Sequence, residues 1–302
     1  MESRKIIKFG NSSYVITLPY DWIQRNQLEK GSSVLLGENG TSLFLSLPQQ
    51  REVKTAEIVF DDKPLKLFNR ELISYYLKNY DYIKISGKQV IERLEELRVL
   101  KEKLSSIEII EINEDHILLK DLTSPNELNV TDLIKEIVDM EKVLFSKLLK
   151  DGDENKHYFI SNLDTNINKL AFLGYKTINY NLDQWKDVMK IKDTIHHWRT
   201  IGALEHIGDI IKRVARYLRE ENINEQPQLY NIIKEVSDYF SFITSLLNQT
   251  GNLENNLKVY LDKKQSILRE LENTREQMKE NMNLYLVIMQ LLKDIIGQLD
   301  AV

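Results

Sequence analysis

Two groups of side chains in this 302-residue chain have the types and spacing for chemistry. The first is Leu204-Glu205-His206-Ile207-Gly208-Asp209, where Leu204, Ile207, Ile211, Val214, Ala215 and Leu218 mark an apolar helical stripe. Glu205 and Asp209 stand four residues apart at its edge, where like charges repel slightly. A bound cation would offset that repulsion, and carboxylate oxygens suit hard divalent metals or iron, so Zn, Fe or Mg at Glu205 and Asp209 is one reading. The other is an ion pair of Asp209 with Lys212 or Arg213 on the same helix. Gly208 falls on the stripe, where glycine costs stability, and suggests the close approach of another helix. In the preceding helical segment Asp164 lies almost on the apolar stripe and Asn168 one turn on, at its border. A carboxylate facing a core needs a partner, either the same metal or a tyrosine or lysine across the bundle. The second group is basic: Arg4, Lys5 and Lys8 beside the turn residues Asn11, Ser12 and Ser13, with Arg25 downstream. Cations next to small hydroxyl and amide donors are what DNA phosphates require. A solvated basic strand with Asn and Ser chosen for turn geometry is the competing reading.

Other chemistry is excluded or left without support. With no cysteine, disulfides, thiol catalysis and Cys-based metal sites are ruled out. No Gly-x-x-x-x-Gly-Lys, Gly-x-Gly-x-x-Gly or Gly-x-Ser-x-Gly motif occurs. His196 and His197 are adjacent, and neighbouring helix residues do not converge on one metal. A hydrolase using Glu205, Asp209 and Asp164 would lack a nucleophile or clear base, so the chain reads as a non-enzyme. Its net charge of -5 confines any nucleic-acid contact to a local patch. No secretory signal is visible at Met-Glu-Ser-Arg-Lys, and no apolar run nears the roughly 18 residues of a bilayer span. A cytoplasmic protein without membrane insertion is therefore expected.

The elements that must position these groups fall into three regions. Four of the five prolines lie in the first 125 residues, which leaves the rest free for long helices. Residues 1–50 read as two hairpins around a short helix: Lys5–Phe9 with Tyr14–Leu18, then Val34–Leu36 with Leu43–Leu47. Residues 51–125 alternate strands (55–60, 82–86, 107–112, 116–119) with helices (67–77, 90–104), as in a small sheet covered on one face. Residues 126–302 read as six helices, near 130–149, 155–181, 184–221, 228–250, 254–274 and 278–300, grouped as two three-helix units. A plain helical bundle or coiled-coil body is the simpler alternative.

Some 47 residues with four short strands cannot bury much core alone. Without cysteine to staple them, pairing of two chains is the expected solution, and a symmetric pair would present two copies of the basic turn.

Lys8-Phe9-Gly10-Asn11-Ser12, Val15-Ile16-Thr17-Leu18-Pro19 and Leu28-Glu29-Lys30-Gly31-Ser32-Ser33-Val34 together resemble the AbrB/MazE/SpoVT swapped-hairpin module. The resemblance implies a dimeric β-barrel, interleaved from two chains, that binds DNA. Where some members carry paired arginines early in the short helix, Ile23 and Gln24 stand here. Glu205-His206-Ile207-Gly208-Asp209 resembles the Glu-Arg-Ile-Gly-Asp signature of PhoU phosphate-signalling proteins, two three-helix bundles whose acidic motifs can hold metals. Asp164 and Asn168 match the other motif of the first bundle, with Asn168 in place of an acid. The last segment has Lys293-Asp294 but no such signature, so two full metal clusters are not expected. The domain order, with Arg70-Glu71-Leu72-Ile73 through Tyr80-Asp81-Tyr82-Ile83 and Ile107–Glu111, is similar to that of archaeal phosphate uptake regulators. The expected protein is thus multidomain and mainly α. It has a swapped-hairpin domain, a small α/β domain and a PhoU-like six-helix domain. The implied function is a homodimeric, DNA-binding transcriptional regulator of phosphate uptake. The alternative is a signalling adaptor for a phosphate transporter or kinase, with the hairpins used only for dimerisation.

Overall fold

The computed structural model describes residues 3–39, 41–47, 52–61, 63–88, 90–92, 94–150, 155–183, 191–220, 227–247, 253–277, 290, 292–295 and 297. It divides into two compact units, Met1–Glu52 and Val53–Val302.

In the first unit, strands β1 (Ile7–Phe9) and β2 (Ser13–Val15) pair antiparallel, with Ile7 opposite Val15 and Lys8 opposite Tyr14. Both are shorter than the apolar pattern suggests. Gly10 opens the connecting turn at φ 68°, a conformation that costs glycine nothing. Helix α1 (Tyr20–Arg25) starts behind Pro19, with Asp21 in its first turn and Arg25 in its last, both favourable to the helix dipole. Strands β3 (Leu35–Asn39) and β4 (Ser42–Ser46) form the second hairpin. The two hairpins are separate sheets within the chain, and neither closes into a barrel. No described side chain between residues 3 and 47 is buried.

The second unit opens with a four-stranded sheet in the order β5 (Thr55–Val59), β6 (Tyr82–Ser86), β8 (His116–Asp121), β7 (Ile107–Ile112). Helix α2 (Leu65–Leu77) carries the chain from β5 to its parallel neighbour β6, and the remaining pairs are antiparallel. Alternate residues of one sheet face are buried: Ala56 and Ile58, Ile83 and Ile85, Ile117 and Leu119. They pack with Phe68, Leu72 and Tyr76 of α2, and with Leu97 and Leu100 of α3 (Leu94–Lys101). Helix α3 is shorter than expected, because Val90 and Leu104 reach the same core from turns rather than from helix.

After a 3-10 turn at Pro125–Glu127, long helices take over. They are α4 (Val130–Leu148), α5 (Lys156–Asp183), α6 (Ile191–Glu220), α7 (Pro227–Leu246) and α8 (Leu253–Gln277). Asn129 caps α4 by accepting the Thr131 amide at 2.9 Å. Helices α4, α5 and α6 pack on one another, α7 pairs with α8, and α4 also meets α7. One continuous apolar cluster runs through all five, from Val130 to Leu271, and takes in Leu292 and Ile295. Residues 278–289, 291, 296 and 298–300 of the expected sixth helix, and 184–190 of the expected third, lie outside the described residues.

Helix α5 joins the bundle to the sheet. Its Phe172 packs against the sheet's core, and Lys176 forms a buried ion pair with Asp121 of β8. Asn79 donates to the Lys176 carbonyl at 3.2 Å, and Asn179 to the Leu77 carbonyl at 2.9 Å. Among the described residues, no helix is long and apolar enough to cross a membrane.

Candidate functional site

Carboxylates from three helices gather inside the bundle. The apolar stripe of α4 runs Ile134, Ile137, Val138, Glu141, Leu144, Phe145, Leu148, and so carries a glutamate into the core. Glu141 is fully buried, and neither carboxyl oxygen has a hydrogen-bond partner among the described residues. Burial, and then the negative charge of Asp164, push its carboxyl well above the usual carboxylate range. Sequence reasoning missed this residue, although an acid at a core position of an otherwise regular stripe was a legible signal.

Asp164 on α5 is buried too, with Oδ2 accepting from Lys212 Nζ at 2.6 Å and Oδ1 unpartnered. Burial raises its carboxyl and the Lys212 ammonium opposes that rise. The lysine partner foreseen for Asp164 across the bundle is therefore present, and it is Lys212. The pairing of Lys212 with Asp209 is not formed, because Lys212 is engaged by Asp164. Arg213 Nε instead donates to the Asp209 main-chain carbonyl at 3.4 Å. Glu205 on α6 is half-buried and its carboxyl is raised, first by burial and then by the charges of Asp209 and Asp164. Tyr175 is pushed up to about 12 by burial and by Glu205. The side-chain oxygen of Asn168 is buried without a partner.

Gly208 serves this cluster. A Cβ there would lie 2.9 Å from Glu141 Oε1 and 3.5 Å from Asp164 Oδ1. The close approach that its place on the stripe suggested is made by these two carboxyl side chains, carried by α4 and α5.

Orphaned buried oxygens on Glu141, Asp164 and Asn168, with Glu205 and Asp209 beside them, are a donor set that fits a hard cation or shared protons. Among the described residues, no three of these acids or any histidine are gathered as a metal's ligands must be. A cation would have to draw them together.

The basic group lies in the other unit. Lys5, Lys8, Asn11, Ser12, Ser13 and Arg25 are exposed, and Arg4 is half-buried with its guanidinium 3.2 Å from the Thr17 hydroxyl. Arg25 Nε donates to the Asp21 carbonyl at 3.2 Å. Pleating puts Lys8 and Tyr14 on one face of the first hairpin, and Ile7, Phe9 and Val15 on the other. That apolar face is open: Ile7 is 53%, Phe9 69% and Val15 41% exposed. His196 and His197 have ring centroids 6.3 Å apart and belong to neither group.

No known family, curated protein or solved structure matches the chain.

Proposed function

We propose that the protein is a cytoplasmic, homodimeric transcriptional regulator of phosphate uptake. Two chains interleave their N-terminal hairpins into one DNA-binding barrel, and a PhoU-like body acts as the sensing part. The observation that carries this reading is the exposure of the hairpin unit. Ile6, Ile7, Phe9, Tyr14, Val15, Ile16, Leu35, Leu36 and Leu43 are all exposed, and no described side chain between residues 3 and 47 is buried. Large apolar side chains left open in this number mark an interaction surface. Covering each one is worth about 1.5–3 kcal/mol, enough to drive pairing of two short hairpin units. A second copy of the same unit satisfies that need with the surface already available. A two-fold pair also doubles Lys5, Lys8 and Arg25 next to the Gly10–Ser13 turn. The step from DNA binding to phosphate uptake rests on the motif resemblance of the helical body.

In this reading Asp164, Asn168, Glu205 and Asp209, with Glu141 beside them, would be drawn together by a divalent metal or iron, which would supply positive charge to a buried acidic centre. Metal analysis of the purified protein tests this part, with Asp209→Ala as the control that should lower the bound content.

The main test is binding of the intact protein to DNA from upstream of phosphate-transport genes, beside a Lys5→Glu/Lys8→Glu variant. The reading predicts that the variant remains a dimer and loses DNA binding. An adaptor that uses the hairpins only for dimerisation would show no DNA binding in either form and would retain a transporter component or kinase in a pulldown.

A further inference from the structure

A separate feature of the bundle surface goes beyond a sensing role in general and names what is sensed. Helix α6 carries His206, Asp209, Arg213 and Arg216 at spacings of three, four and three, which align them on one face. Together with Lys212 and His157 of α5, they line a cleft of about 610 Å³. That volume lies within the range of small-molecule sites.

The charge in the cleft is one-sided. Lys212, Arg213 and Arg216 face a single lining carboxylate, that of Asp209. Lys212 is shared with the buried Asp164. Among the described residues, neither Arg213 nor Arg216 pairs with a carboxylate, although Asp209 lies one turn from Arg213 and the chain as a whole is acidic. Arg213 spends its Nε on the Asp209 main-chain carbonyl and Arg216 lies 5.4 Å from the Tyr217 ring centroid, so both guanidinium groups line the cleft with no carboxylate partner among the described residues. Their planar forks match the oxygens of a phosphoryl group, and His206 and His157 line the same cleft with imidazole rings. A net charge of -5 disfavours an extended polyanion against this surface and leaves a small anion as the fitting occupant.

We propose that this cleft between α5 and α6 binds a small phosphoryl anion, orthophosphate or a phosphate ester, through Arg213, Arg216, Lys212 and the two histidines. The site deepens the reading of the helical body as a sensor. Lys212 gives it a route inward, because an anion on its ammonium competes with Asp164 for the same charge.

The test is calorimetric titration of the intact protein with orthophosphate, glycerol 3-phosphate and ATP, with ionic strength held constant by chloride. At least one should bind saturably, and comparison of the three separates free phosphate from an ester. Arg213→Gln/Arg216→Gln should weaken that binding by about tenfold or more, since hydrogen bonds to charged groups are lost. Arg213→Lys/Arg216→Lys should fall between, because charge is kept and the fork is lost. Both pairs are half-exposed or exposed, and circular dichroism checks that each variant stays folded. Absence of saturable binding to the wild type overturns the proposal, as does unchanged affinity in the glutamine variant. DNA binding is measured on the same samples without phosphate. Loss of DNA binding in the wild type with phosphate binding intact would sink the regulator reading and leave the cleft standing.

Discussion

Lys176 and Asp121 form the most deeply buried ion pair among the described residues, and removing either should be costly. Lys176 is 1% and Asp121 4% exposed at the side chain, and the ammonium also lies 4.4 Å from the Tyr76 ring centroid. Replacing Lys176 with Met leaves a buried carboxylate behind. That carboxylate keeps the Thr123 amide at 2.9 Å and the Ser106 hydroxyl at 3.3 Å, so the loss should fall at the lower end of the about 3–5 kcal/mol typical of a broken buried pair. Replacing Asp121 with Leu instead leaves a buried ammonium with an aromatic face as its main compensation, and should cost the upper end. The double variant Lys176→Met/Asp121→Leu removes both charges and should recover most of the loss, because an apolar pair of similar volume is often neutral or better. Urea denaturation of the four proteins, followed by a double-mutant cycle, measures the coupling. A coupling of about 2 kcal/mol or more is expected. Single losses below about 1 kcal/mol that simply add would refute the claim that this pair ties the sheet to the bundle. The position matters because α5 also carries Asp164, twelve residues before Lys176 and thus about 18 Å along the helix. One rigid element links the acidic centre to the α/β layer.

Three further outcomes follow from the same reasoning. Glu141 keeps its proton to higher pH in the folded protein than in the unfolded chain, because burial raises its carboxyl. That contribution to stability is full below the ordinary value of 4.5 and is lost as pH rises through the folded value, so metal-free Glu141→Gln should gain on the wild type as pH climbs, read from denaturation midpoints between pH 4 and 8. A gap that stays flat with pH would count against a buried, titrating Glu141. Glu235 on α7 is raised to about 7 by partial burial, by a hydrogen bond with Glu270 on α8 and by the charges of Glu270 and Asp238. The wild type should therefore lose stability between about pH 4.5 and pH 7 more than Glu235→Gln does, which thermal melts across that window would show. Phe9→Asp/Val15→Asp, on the open face of the first hairpin, should shift the protein from dimer to monomer in sedimentation or light scattering without loss of helical signal. An unchanged dimer would move the pairing surface elsewhere.

Much of the architecture was legible because periodicity is a strong signal where faces are buried. The four sheet strands announced themselves through alternation in Ile83–Ile85 and Ile117–Leu119. The long helices did so through stripes such as Ile134, Ile137 and Val138. Helix α3 was overextended because Ile91, Leu94, Leu97 and Leu100 recur every third residue, whereas the helix runs only from Leu94 to Lys101 and Val90 and Leu104 reach the core from turns. The site was legible in part. Asp164, Glu205 and Asp209 stand out as acids beside apolar stripes. Glu141 was passed over although an acid at a core position of the α4 stripe can be read from spacing alone. The competition for Lys212 could not be read from one helix. Local spacing allows Asp209 or a residue of another helix, and only tertiary packing brings Asp164 to 2.6 Å. The Lys176–Asp121 pair was invisible for the same reason, with its partners 55 positions apart in sequence.

The most direct measurement of the central claim is the salt dependence of affinity for promoter DNA. Lys5, Lys8 and Arg25 are exposed, and in the proposed dimer their two copies would offer six cations to DNA phosphates. Contacts in that number predict a fall in affinity of about 10³ between 50 and 200 mM salt. A steep linear fall of log affinity with log salt, flattened by Lys5→Glu/Lys8→Glu, is the result expected of a phosphate-gripping hairpin dimer. Affinity that is absent, or that ignores salt and the two substitutions, would contradict it.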